Sequence, residues 1–259
     1  MKQDDKNKQL SIITYDMSDK DRADYLKNKN LSVVINDETK FNDVVKKYQT
    51  LNVLKTNEQR KALRKFGEER NVFKEYKKVG DTKLSAYFSR NSLFESVSKS
   101  SDVPLMYYVI FNIDEVLKKS VKIEEHLENK LDENNKATHE FLSTVLIEND
   151  KIILIKTTLK ESKYSNNNIY SISNLEIIKE DDGHPQMFEL NQALETGHPL
   201  LFLNIAQLIS NVNNESILRY IPNELLNSTQ IQIKKEAIDK YNEIKKIQIE
   251  RKQNKLKDK

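Results

Sequence analysis

Within the stretch Leu84 to Lys99, LSAYFSRNSLFESVSK, the hydrophobic period of the chain changes from two to nearly four. Leu84, Ala86 and Phe88 alternate with Ser85, Tyr87 and Ser89, which is the pattern of a half-buried strand. Ser92 and Glu95 then spell an S-x-x-E capping box ahead of Leu93, Phe94 and Val97, so a helix is expected to start at Ser92. A strand running straight into a capped helix is the mark of a mixed fold. The joint between them is the first place to look for a site.

Composition narrows the kind of sheet. With 37% hydrophobic and 32% charged residues, the chain can fill a modest core. It lacks the long Val/Ile/Leu runs that a parallel sheet buried on both faces requires. An antiparallel sheet with one wet face is therefore expected. At 259 residues the chain exceeds the ~100–200 residues that one core usually organises, which predicts two unequal parts and a tail. The 43 basic and 40 acidic side chains leave a net charge of +3, too little for a global field toward nucleic acid, so any such contact has to be local. There is no cysteine, which excludes disulfides, thiolate metal sites and a cysteine nucleophile, and four scattered histidines argue against zinc. No cofactor or metal is predicted. The N-terminal MKQDDKNKQL lacks the apolar core of a signal peptide, and no run approaches the ~18 apolar residues of a membrane span, so a cytoplasmic protein with no membrane partner is expected.

Taken in order, residues 1–80 read as a small α/β part. It comprises a strand from Leu10 to Tyr15, a short helix capped by Ser18, a strand from Leu31 to Ile35 and two amphipathic helices. The first of these helices carries Phe41, Val44, Val45 and Tyr48, and the second runs from Asn57 to Val72. The second shows a basic face of Arg60, Lys61, Arg64, Lys65 and Arg70, interleaved with glutamates; it suits either a phosphate backbone or plain solvated surface. Gly80-Asp81 marks a turn.

Residues 81–179 hold the main α+β unit. Leu105, Met106, Val109, Ile110, Ile113, Val116 and Leu117 predict one long core helix after Pro104. Four strands follow, Val121 to Glu125, Phe141 to Ile147, Ile152 to Lys160 and Tyr170 to Ile178, joined by short polar turns that imply an antiparallel meander. A phase shift between Ile172 and Leu175 predicts a bulge, and Leu127 to Thr138 reads as a mobile loop. Residues 180–227 form a turn-rich extension with a buried helix inside Leu200 to Val212. Residues 228–259 form a basic C-terminal helix and tail striped by Ala237, Ile238, Tyr241, Ile244 and Ile247. The expected fold is thus α+β, with helices packed on a four-stranded antiparallel meander.

The strings YFSRNSLFESVSKS, IDEVLKKSVKIEEH, HEFLSTVLIENDKIILIKTTLKES and IYSISNLEIIK together resemble the polyvalent-protein-associated domains of large phage and conjugative-element proteins. The resemblance extends over Leu84 to Asn227. It implies a barnase, EndoU, colicin and RelE-like nuclease fold, with N-terminal helices on a four-stranded meander. Metal-independent RNA cleavage on such a fold needs a base for the 2′-hydroxyl, an acid for the leaving oxygen and cations for the charged phosphorane. The candidates are Arg90 and Ser92 at the joint, His126 ending the first meander strand, Lys156 and Lys160 on the third and Ser171 on the fourth. Each has a plainer reading: Ser92 as a cap, Arg90 as surface charge, His126 as a strand-end residue within EEHLE, Lys156 on a wet sheet face. The balanced charge tilts the reading toward a non-catalytic counter-defence factor. Its partner would be a host protein or ribonucleoprotein complex, such as a CRISPR effector, with RNA-cleaving effector or toxin as the alternative.

Overall fold

The structure, a computed structural model, describes residues 17–34, 41–48, 56–73, 75–80, 82, 84–100, 102–127, 135–147, 151–162, 170–179, 187–189, 202–204, 215–219 and 221–257. Along the chain run α1 (Asp19–Lys27), β1 (Asn30–Val34), α2 (Phe41–Tyr48), α3 (Thr56–Glu69), β2 (Lys77–Lys78), β3 (Ser85–Phe88), α4 (Arg90–Lys99), α5 (Val103–Phe111) and α6 (Ile113–Lys118). Then come β4 (Val121–Leu127), β5 (Asn135–Ile147), β6 (Lys151–Ser162), β7 (Tyr170–Ile177), β8 (Met187–Glu189), β9 (Phe202–Asn204), α7 (Glu215–Leu218), a 3₁₀ turn and α8 (Ser228–Lys257).

The α+β class is as expected, but the sheet is larger and mixed. β4, β5, β6 and β7 pair consecutively and antiparallel. To these, β3 adds parallel to β7, β2 antiparallel to β3, β1 parallel to β5, β9 antiparallel to β1 and β8 antiparallel to β6, giving nine strands among the described residues. The cause is strand length. β5 and β6 span 13 and 12 residues, so each outreaches its meander neighbour and offers the remainder of its edge to another strand. The first half of β5 pairs with β4, while Thr144 and Val145 pair with β1.

Several expectations need correction. β5 begins at Asn135, so the last part of the expected mobile loop is strand. The expected core helix divides at Asn112, whose side-chain amide donates to Tyr108 O at 2.9 Å. Within the expected helix at Leu200 to Val212, the described residues Phe202–Asn204 are a strand on β1. The N-terminal strand from Leu10 to Tyr15 falls outside the described residues. Where Ser92 was expected to cap α4, Ser89 does so: its Oγ accepts from Ser92 N at 3.0 Å, and the helix starts at Arg90. Both serines fit the capping pattern, and the chain takes the earlier one because β3 already ends at Phe88.

That early start has a purpose in the sheet. β3 accompanies β7 only as far as Ile172, and beyond it α4 covers the exposed strand edge. Ser96 Oγ accepts the Leu175 amide at 2.9 Å while donating to Ser92 O at 2.9 Å, so a backbone group that would otherwise be orphaned is satisfied. The predicted bulge also appears: Thr158 pairs with Asn174 and Leu159 with Ile172, leaving Ser173 as the extra residue.

Two cores result, one on each face of the sheet. On the first face Phe141, Val145, Ile153, Ile155, Leu159 and Ile172 meet α2 to α6. α5 is central, with Leu105 to Ile110 all buried, and Tyr48 stacks on Tyr107 with centroids 5.4 Å apart. On the second face Leu142, Leu154, Val121 and Ile123 meet Tyr25 and Leu26 of α1, Leu218 of α7 and Ile221. Among the described residues no helix is long and apolar enough to cross a membrane.

Candidate functional site

The second face is apolar only where α1 and α7 cover it. Moving along the strands away from that core, one cross-strand row carries Val121, Leu142, Lys156 and Glu176, and the next carries Glu124, Glu140, Thr158 and Asn174. A third row carries His126, Thr138, Lys160, Ser171 and, across the parallel β3, Tyr87. Aligned residues in a sheet share a face, so the backbone register alone gathers these groups. Tyr76, 56% exposed, extends the row with its ring edge-on to Tyr87 at 5.3 Å. Its other members are half-buried, which leaves this end of the face within reach of a ligand.

Buried charge underlies the open row. Glu124 sits 2.5 Å from Arg22 of α1, yet its burial pushes the carboxyl up to about 7, against the pull of Arg22. Glu140 is likewise raised by burial, while Lys156 and a hydrogen bond from Thr158 Oγ1 at 2.8 Å work in the other direction. Lys156 Nζ lies 3.1 Å from Glu176. The expected wet-face lysine is therefore only 6% exposed, because the second face is covered at this point.

The six sequence-predicted site residues separate into two groups. His126, Lys156, Lys160 and Ser171 share the second face. Arg90 and Ser92 do not: Arg90 Nη2 lies 3.5 Å from Glu68 of α3, a helix of the first face, and Ser92 Oγ is 2.6 Å from Ser89 Oγ in the cap. Arg90, paired with Glu68, is thereby set apart from Lys156, which pairs with Glu176 on the second face. Tyr76, Tyr87, Glu124 and Glu140 were not among the predicted residues. Their signals were an aromatic on the wet phase of β3 and acids placed inside apolar strands.

The first face has its own buried polar chain. His139, 3% exposed, has Nδ1 3.3 Å from Glu125 Oε2 and Nε2 3.3 Å from Glu161 Oε2. Lys122 pairs with Glu125, and Lys136 Nζ lies 3.0 Å from Glu161. The His139 imidazole and then Lys122 hold the Glu125 carboxyl down at about 2, against the effect of burial. This chain links β4, β5 and β6 and reads as structural.

Further clefts lie outside the open row itself. One of about 520 Å³ lies between α4, the β7 edge and Arg219, with lysines and glutamates in near balance. Another of about 440 Å³ lies between α3 and α4, lined by Arg60, Arg64, Phe73, Arg90 and Phe94. Among the described residues no group of three or more histidines and acids is placed to hold a metal ion.

Fold and face together define an α+β module whose mixed sheet is packed on both faces and left partly open at one end of the second. Residues 55–170 match the family model of large polyvalent protein-associated domain 3, and the chain thus carries a polyvalent-protein-associated domain. The match spans α3 to the start of β7 and so takes in most of the open row. No curated protein and no solved structure gave a match.

Proposed function

We propose that the chain is a non-catalytic mobile-element accessory factor whose open sheet face takes single-stranded RNA. In counter-defence this RNA would belong to a host immune ribonucleoprotein such as a CRISPR effector. The observation that carries the reading is the single row Tyr76, Tyr87, Ser171, Lys160, Thr138 and His126. Aromatic rings beside a lysine on a half-open sheet offer stacking for unpaired bases and a cation for the backbone. The domain match supports the mobile-element setting.

Binding is favoured over cleavage by the position of the acids. Transesterification needs a base and an acid that both reach the scissile phosphate. Here Glu124 and Glu140 are 3% and 5% exposed and engaged by Arg22 and Thr158. Among the described residues of the open row, His126 is the one histidine, with Lys160 and the two tyrosines as its other titratable groups. The test is fluorescence anisotropy with a short labelled oligouridylate, run beside a gel assay in chelator. Tyr87→Ala should weaken binding about tenfold, within the ~1–3 kcal/mol of a lost stacking contact, while the RNA stays intact. Cleavage in chelator that His126→Ala abolishes would replace this reading with the RNA-cleaving effector. Affinity unchanged by both Tyr87→Ala and Lys160→Ala would refute the sheet face.

A further inference from the structure

The basic face of α3 resolves into two unlike halves. Arg70 turns inward, donating to Phe111 O at 2.8 Å with its guanidinium 3.9 Å from the Phe111 ring centroid, so it is spent on packing. Arg60 and Arg64 turn instead toward α4 and meet Arg90 across the cleft of about 440 Å³. The Arg60 guanidinium lies 4.4 Å from the Phe94 ring centroid, which fixes its plane while leaving its outward N–H groups available.

Arg64 and Arg90 converge on one atom. Glu68 Oε1 is 3.0 Å from Arg64 Nε and 3.5 Å from Arg90 Nη2. All three side chains are about half exposed, at 55%, 58% and 44%. Ion pairs this exposed hold at most about 1 kcal/mol, so a better anion can displace the carboxylate. Glu95, which lines the cleft itself, is engaged by Lys99 at 3.0 Å, while Glu68 lines the adjoining cleft. Three guanidiniums thus face two carboxylates, one of them already neutralised, and planar guanidinium forks match phosphate oxygens.

The cleft also connects with the open row. Arg90 and Phe73 line both it and an adjoining cleft of about 300 Å³, which Tyr87 borders from the other side. A chain of groups therefore leads from Arg60 and Arg64, past Arg90 and Phe73, around the β2–β3 edge to Tyr87 and Tyr76. We infer that the Arg60–Arg64–Arg90 cleft is a phosphate subsite for the same single-stranded RNA, with Glu68 bridging Arg64 and Arg90 from the adjoining cleft in the empty protein. The inference rests on the RNA reading of the sheet face for its ligand, and on separate residues for its test.

The experiment measures oligouridylate affinity against salt for the full chain, for Arg64→Gln/Arg90→Gln, for Glu68→Gln and for Tyr87→Ala. Losing two phosphate contacts should lower the slope of log K against log salt by about 1.4, from about 0.7 per contact on a single strand. Affinity at low salt should fall at least tenfold. Glu68→Gln removes the internal competitor and should tighten binding. Tyr87→Ala should weaken binding without changing the slope. If the double variant keeps the wild-type slope while Tyr87→Ala weakens binding, the phosphate subsite is overturned and the sheet face stands. If the double variant loses slope and neither Tyr87→Ala nor Lys160→Ala changes the affinity, the subsite stands and the sheet face is refuted. An oligouridylate that binds none of the proteins overturns both. Because these side chains are largely exposed, matched thermal melting curves should exclude unfolding as the cause.

Discussion

Glu124 gives the protein an unusual dependence of stability on pH. Its carboxyl is 3% exposed on the second face, where Arg22 and Lys234 attract its ionised form and Asp19 opposes it. Burial, with Asp19 acting in the same direction, outweighs Arg22, the hydrogen bond from the Glu125 amide and Lys234, and raises it from 4.5 to about 7. A group whose proton is held more tightly when folded contributes stability that is fully present below its unfolded value. That stability is lost as pH rises through the folded value. The window is therefore pH 4.5 to about 7, and at ~1.36 kcal/mol per pH unit the loss amounts to about 3 kcal/mol. Glu140, raised by burial as well, acts in the same direction. Glu125 acts oppositely: held down at about 2, it contributes stability above 4.5 that disappears as pH falls toward about 2. Stability should thus peak on the acid side of neutrality. The assay is urea denaturation followed by circular dichroism across this range, for wild type and Glu124→Gln. Glutamine stands in for the protonated acid at every pH, and its altered hydrogen bonding is a roughly constant offset, so the decisive quantity is how the difference between the two proteins changes with pH. The difference should move by about 3 kcal/mol in favour of Glu124→Gln between the two ends of the window. A pH-independent difference would refute the claim that burial governs Glu124.

Two further substitutions probe how the site is held in place. Gly80 has φ +57°, donates its N–H to Leu117 O at 2.7 Å, and leaves no room for a Cβ, which would clash with Ser120 O. Gly80→Ala should cost at least about 1–3 kcal/mol in thermal unfolding, and a neutral result would contradict the tight approach of the turn to α6. Ser96→Ala removes the acceptor of the Leu175 amide at the β7 edge and should cost about 1–3 kcal/mol. Amide hydrogen exchange at Leu175 should accelerate; unchanged protection there would mean that α4 does not seal the edge.

The sequence was most informative where a pattern is local. Alternation from Leu84 to Phe88, the serine caps near the start of α4, the bulge beside Ile172 and the helix from Ser228 all follow from the conformational preferences of neighbouring residues, and all appear in the structure. The choice between Ser89 and Ser92 as cap did not follow. Both satisfy the local rule, and the end of β3 settles it. The split at Asn112 was equally hidden, because Asn112 interrupts the helix only by bonding back to the turn around Tyr108.

What the sequence by itself determined is the strands β1 and β3 to β7 and most of the helices packed on them, and that the class is α+β, since these rest on periodicity and capping within a few residues. What only the tertiary structure decided is which strands share an edge and what covers each face. Lys156 has the same alternation phase whether its face is wet or dry, and it is buried because α1 and α7 pack over that end of the sheet. Arg90 was separated from Lys156 in the same way, since α4 leaves β3 toward α3. The row from Tyr76 to His126 is gathered from five strands and the approach to β2, and the register across them depends on edge lengths, a bulge and a parallel crossover. Those are energies of long-range pairing, and no single segment of the chain contains them.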